Sequence, residues 1–222
     1  MSEFIGNNSN FSVVPLAVGG FNTKTEYWLL EKHDLKPNIT ILQFFYDDFY
    51  NYNLWSEQKN QWIAIRFESY DYKFKKIIMK LAVNSRAFKA LYWFKIKNDP
   101  CVSNIGLACF EKNKDKVEKY LLKIKEKSEE NNGKLIILYV PNHDKNLTYN
   151  NELNIFAKDF ITEFSKKETI TLIDLSKEYE KEKVYQNKEP CPPEDVHPND
   201  RGHEIAAEKI YKYLTNNNLI TK

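Results

Sequence analysis

Ile39-Thr40-Ile41-Leu42-Gln43-Phe44-Phe45-Tyr46-Asp47-Asp48-Phe49 is an apolar, β-rich run that ends in two acids. A short apolar run of this composition reads as a buried strand, here over residues 39–45. Three further runs of the same kind lie at residues 13–18, 134–140 and 169–175. Stretches with apolar residues at helical period fall at 23–32, 114–131, 151–166 and 203–214. Strands alternating with helices predict an α/β domain built on a parallel sheet. Asn132-Gly133 closes the second helical stretch just before a strand, where a residue tolerant of positive φ is useful. The connection from Asp48 to Gly133 is too long for a plain crossover and must hold extra structure, expected as a helical insertion at about residues 50–130.

A chain of 222 residues with 42% hydrophobic and 14% aromatic content can bury one sizeable core, so a single domain is expected over residues 1–222. The net charge of +2 is too small to imply a polyanionic partner, and no nucleic-acid partner is expected. Cys101, Cys109 and Cys191 show neither metal-ligand spacing nor an even count, which makes free thiols the expectation. No signal peptide opens the chain and its apolar runs are too short to span a membrane. A cytoplasmic location is expected unless an N-terminal segment is missing.

Near the C-terminus, Glu194-Asp195-Val196-His197-Pro198-Asn199-Asp200-Arg201-Gly202-His203 sets acids two and three residues before a histidine and then begins a helix. A histidine used as a base needs one ring nitrogen held by a carboxylate or carbonyl, so that the other faces the reacting group. Pro198 restricts His197 to extended backbone, and Asn199 or Asp200 can cap the helix after it.

Taken with the rest of the chain, this loop resembles the last block of the SGNH (GDSL-type) hydrolases, serine esterases with a flavodoxin-like three-layer α/β/α sandwich. That block is an acid-x-x-His followed by Pro-Asn and Gly-His, with Glu194 here at the spacing of the usual aspartate. The second block, a glycine after a strand, is similar to Val14-Pro15-Leu16-Ala17-Val18-Gly19-Gly20-Phe21-Asn22-Thr23, with Gly20 at the glycine. The third, Asn-Asp after a strand, is similar to the run quoted first, with Asp47 where the asparagine belongs. The first block, a strand ending in Gly-Asp-Ser, has no counterpart, and Ser2 only faintly echoes the start of the helix after such a serine. In the family that strand sits between those expected here at 13–18 and 39–45, so the chain reads as an N-terminally incomplete hydrolase domain with two hydrophobic edges facing a gap.

The resemblance implies roles for individual residues. His197 would be the general base and Glu194 its orienting acid, with Asp195 the alternative; Gly20 would offer a backbone N–H to the oxyanion. Asp47 is the awkward position, since an ionised carboxylate cannot donate and repels a developing oxyanion. The nucleophile is unassigned. The implied activity is hydrolysis of an acyl ester, in particular an acetyl ester, on a carbohydrate or similar small substrate, impaired for lack of the nucleophile. A non-catalytic binding module or a decayed gene product is the alternative. No cofactor or metal is expected, because Asp47 and Asp48 would need further ligands to hold an ion.

The remaining candidates carry less. His143 comes after a strand but reads as a solvated loop residue, His33 sits at a helix end, His203 at a helix start, and Cys191 lacks a basic neighbour. Between Tyr72 and Asn98 lie Lys73, Lys75, Lys76, Lys80, Arg86, Lys89, Lys95 and Lys97 without a single acid, interleaved with apolar and aromatic residues. Such a segment is expected either to cover the core with snorkelling lysines or to touch an anionic surface.

Overall fold

A computed structural model of the chain describes residues 12–16, 22–49, 55–58, 61–64, 106–142, 152–184 and 198–220. Helix α1 (Thr23–Lys32) leads to strand β1 (Ile39–Phe44), a 3-10 turn (Tyr46–Phe49) and a ribbon of β2 (Trp55–Gln58) and β3 (Gln61–Ala64). Helix α2 (Leu107–Glu129), β4 (Lys134–Tyr139), α3 (Glu152–Lys167), β5 (Thr171–Asp174), α4 (Ser176–Lys181) and α5 (Asp200–Asn216) come next. Strands β1, β4 and β5 form a parallel sheet in that order, with Ile39 opposite Lys134 and Ile136 opposite Thr171.

The side-chain alternation of β4 creates the layers. Leu135, Ile137 and Tyr139 face one way and pack with Leu30 of α1, Val117 and Leu121 of α2, and Phe160 and Ile161 of α3. Ile136 and Leu138 face the other way and meet Tyr179 of α4 and Ile205, Ile210 and Leu214 of α5. A strand covered on both faces has no polar side, which is why 134–139 lacks the alternation of a half-exposed strand. The result is the three-layer α/β arrangement with a parallel sheet that the sequence implied.

Local chemistry sets the helix ends. Asn22 and Thr25 form a reciprocal box at the start of α1: the Thr25 N–H donates to Asn22 Oδ1 at 3.3 Å, and the Asn22 N–H donates to Thr25 Oγ1 at 2.9 Å. Asn199 caps α5 by accepting the Gly202 N–H at 3.0 Å, so that helix begins three residues before His203. Asn132 takes φ 58°, as expected for the turn into β4. A Cβ at the next residue, Gly133, would collide with the carbonyl oxygens of Ser128 and Pro37.

Several expectations are corrected. Residues 13–16 form no strand; residues 12–15 are exposed, and among the described residues no strand takes their hydrogen bonds. Residues 17 and 18 lie outside the described residues. Strand β5 starts at Thr171, because Thr169 at φ 57° is still turning out of α3. Helix α2 begins at Leu107, seven residues before the expected start at Lys114, and the long connection contains the antiparallel ribbon β2–β3 as well as helix. Cys109 is disulfide-bonded, which overturns the expectation of three free thiols; both other cysteines lie outside the described residues. The basic stretch from Tyr72 to Asn98 lies outside them too.

A candidate active site at the carboxyl ends of the strands

In open parallel sheets, ligands bind beyond the carboxyl ends of the strands. At that end β1 and β4 finish level, Phe44 opposite Tyr139, and the Val140 N–H donates to the Phe44 carbonyl at 3.0 Å. The 3-10 turn carrying Asp47 and Asp48 leaves β1 at this point, and the Pro141-Asn142 segment leaves β4.

The turn is held by its last residue. Phe49 is fully buried and its ring stacks on Phe110 of α2 at 4.7 Å, with Phe160 of α3 edge-on at 5.0 Å and Phe44 of β1 edge-on at 5.8 Å. Asn113 of α2 donates to the Phe49 carbonyl at 2.7 Å. Held between two helices and the strand, the turn has little freedom to move Asp47.

Asp48 ties two motif loops together. It is buried, accepts the Phe45 N–H at 2.9 Å and also accepts the backbone N–H of Thr23, the first residue of α1. The end of β1 is thereby joined to the start of the helix that follows Gly20 in the sequence. Burial raises the proton affinity of Asp48 well above the ordinary range, with Glu26 and Asp47 adding to it against those two N–H groups. Glu26, in the first turn of α1, is pushed up to about 8 by burial and then by the nearby Asp47. Asp47 itself is half-buried.

Two further arrangements complete this end of the sheet. Asn154 of α3 grips the backbone of Asn142 at both polar groups: its Oδ1 accepts the Asn142 N–H at 3.0 Å, and its Nδ2 donates to the Asn142 carbonyl. The Asn142 side chain is buried, with its Oδ1 unpaired. At the last residue of β5, Asp174 accepts the Ser176 N–H at 2.8 Å and pairs with Lys158 at 2.8 Å. Burial works against its charge, but the bonds from Lys158 and Ser176 outweigh that and hold its carboxyl below the usual range.

Of the residues singled out from sequence, Asp47 stands at this end. Gly20, Glu194, Asp195 and His197 lie outside the described residues, as do Ser2, His143 and Cys191. Just after His197, Pro198 is packed where a Cβ on Gly202 would come within 2.7 Å of it and 2.5 Å of Val184. Tyr179 of α4 donates to the Gly202 carbonyl at 2.9 Å, so the glycine of the last block is the point where α5 docks against the helix leaving β5. His203 and His33 are exposed on helix ends. Sequence reasoning missed Glu26, Asp48 as a tie, and Asn142. Only Asp48 had a signal, as the second acid of its block.

The family model of the GDSL-like lipase/acylhydrolases matches residues 6–210. The chain belongs to that family. No curated protein and no solved structure matches the chain. As a GDSL-like acylhydrolase it carries ester hydrolysis as its general chemistry. Position 47 is where the resemblance puts the family's Asn, and this GDSL-like chain has an acid there, whose charge adds to the raised proton affinity of Glu26 and Asp48. Among the described residues no group of three or more His, Cys, Asp or Glu is arranged to hold a metal ion. Among the same residues no helix is long and apolar enough to cross a membrane.

Proposed function

We propose that this chain is the framework of an acyl-ester hydrolase acting on acetyl groups of a carbohydrate or similar ester. His197 serves as base, Glu194 orients it with Asp195 as the alternative, and the Gly20 N–H and residue 47 face the oxyanion. The family match carries the reading, and the tie from Asp48 to both the end of β1 and the start of α1 supports it, because it holds the Asp47 turn against the helix just after Gly20. Acetyl and carbohydrate come from the resemblance alone.

The absence of Gly-Asp-Ser sets the expected rate. Loss of a triad nucleophile leaves only binding and oxyanion contacts, about 10³-fold or more below an intact enzyme. Purified chain should therefore turn over p-nitrophenyl acetate only weakly, with Ser2→Ala without effect. Robust turnover abolished by Ser2→Ala would make Ser2 the nucleophile; robust turnover abolished by His197→Ala but untouched at Ser2 would show that another nucleophile serves. The same missing block favours a second reading, a non-catalytic module that binds acetylated polysaccharide. That reading requires binding without hydrolysis, and binding that Gly20→Val disrupts.

A further inference from the structure

Asn142 is a rigidly held amide with one end left over. It follows the last residue of β4, Tyr139, by three positions, so it stands beyond the carboxyl end of the sheet, on the strand next to the one that carries the Asp47 turn. Its backbone is fixed from both sides: Asn154 Oδ1 accepts its N–H at 3.0 Å, and Asn154 Nδ2 donates to its carbonyl. Asn154 is anchored in turn, since the Tyr139 hydroxyl donates to the Asn154 carbonyl at 3.1 Å. Two residues further along α3, Phe156 meets Phe49 edge-on at 5.3 Å, and Phe49 is the last residue of the Asp47 turn. The segment carrying Asn142 and the turn carrying Asp47 are therefore braced against the same helix.

The side chain is less well served than the backbone. Asn142 is only 5% exposed, its Oδ1 is closed off from solvent, and among the described residues no group donates to that oxygen. An acceptor in this state costs stability that an apolar group of the same shape would not. Thr40 Oγ1 and Ser165 Oγ are closed off in the same way, but Thr40 is the second residue of β1 and Ser165 lies in the last turn of α3, both toward the opposite end of the sheet. Of the three, Asn142 alone stands where parallel sheets bind ligands.

With its backbone clamped and its Oδ1 unopposed, the amide turns about its Cβ–Cγ bond without breaking any hydrogen bond to that oxygen. The group is fixed in place and free in the one torsion needed to meet a donor. What the oxygen lacks is that donor, and a bound ligand supplies one as a hydroxyl or N–H group.

We propose that Asn142 is a substrate-recognition residue whose Oδ1 accepts a hydrogen bond from a hydroxyl of the bound ester, and that it thereby selects esters of polyhydroxylated alcohols over simple alkyl esters. That the ligand is an ester rests on the hydrolase reading above; the recognition of a hydroxyl donor by Asn142 does not. A partly acylated sugar carries such donors beside its ester oxygen, and an alkyl ester carries none. A buried polar group placed to meet a donor discriminates against ligands that lack one, because it is left unpaired in their complexes.

The test compares wild type with Asn142→Leu, which keeps the approximate shape and removes the acceptor, both as the full chain. Two probes are used: an acetylated methyl glucoside with its other hydroxyls free, and the same ester with those hydroxyls methylated. In calorimetric titrations wild type should bind the free-hydroxyl ester about tenfold more tightly than the methylated one, and Asn142→Leu should lose that preference. Unfolding in urea separates recognition from a structural role: exchanging an unpaired acceptor for an apolar group should leave the midpoint unchanged or raise it. In wild type itself, the Asn142 side-chain amide resonances should shift with the free-hydroxyl ester and stay in place with the methylated one, a reading that needs no variant. The proposal is overturned by a clear fall in the urea midpoint of Asn142→Leu, by a hydroxyl preference that survives in that variant, or by a wild type that shows no such preference. Hydrolysis of p-nitrophenyl acetate is read separately. A chain that does not hydrolyse it yet keeps the preference at residue 142 sinks the hydrolase reading and leaves the recognition role standing; turnover without the preference does the reverse.

Discussion

Two carboxyl groups at the same end of the sheet answer pH with opposite sign. Glu26 has its folded-state affinity raised from 4.5 to about 8, so it binds a proton more tightly folded than unfolded. Its contribution to stability is complete below pH 4.5 and is lost as pH rises to about 8. Asp174 is lowered from 3.8, so its contribution is present above that value and is lost as the solution is acidified through its folded-state value. Melting temperature measured against pH should therefore fall between 4.5 and about 8 in wild type and fall less steeply across that window in Glu26→Gln, where the raised affinity of Asp48 still contributes. Asp174→Asn should be destabilising at neutral pH and lose that deficit in acid. Parallel curves for wild type and Glu26→Gln would show that Glu26 is an ordinary surface acid. Neither behaviour was legible in the sequence. Glu26 sits among polar neighbours in a short helix, and its burial is a product of the tertiary fold that no local pattern announces.

At the scale of elements, the segments with unambiguous local chemistry matched their expected positions. Helix α1 runs over the expected ten residues because Asn22 and Thr25 close its start within the segment itself. Strand β4 is buried on both faces, so its continuous apolar run was sufficient to find it. Residues 13–16 carry the same apolar signal without forming a strand, since a strand exists only through a neighbour and no run of side chains specifies one. Helix α4 has six residues, too few for a period to register, and the ribbon β2–β3 was hidden in a connection read as helical. The element with the largest consequence for the site is the smallest, the four-residue turn Tyr46–Phe49. Removing the Phe49 ring empties the space between Phe110, Phe160 and Phe44. Phe49→Ala should cost about 3–5 kcal/mol in urea unfolding. Because Asn113 and Asp48 still grip the backbone, Phe49→Leu should recover most of that loss. Equal losses in the two variants would mean that the ring does not hold the turn.

For the whole molecule, the charge distribution makes the sharpest prediction. The stretch from Tyr72 to Asn98 gathers eight basic residues and no acid, while the rest of the chain has more acids than bases. We propose that it governs where the domain binds and takes no part in bond making. Changing Lys75, Lys76, Lys80 and Lys89 to Gln should abolish low-salt co-sedimentation with anionic vesicles or an acidic polysaccharide. Binding by the wild type should weaken as ionic strength approaches about 0.1 M, where screening acts over about 10 Å. No binding by either protein would leave the segment as a covering for the core.

The sheet also sets an order of assembly. Strands β4 and β5 are joined through α3 alone, and their apolar residues are close in the chain. Strand β1 must find β4 across everything from Tyr46 to Gly133, and closing the longer loop costs more entropy before any contact rewards it. The unit α2–β4–α3–β5 is thus the early nucleus, and β1 docks late, carrying the Asp47 turn with it. In pulse-labelled refolding, amides of Ile137 and Tyr139, which face β5, gain protection while those of Thr40 and Leu42 still exchange. The chemistry at the strand ends is consequently assembled in the last step of folding, and a chain arrested before it would hold a formed core and no site.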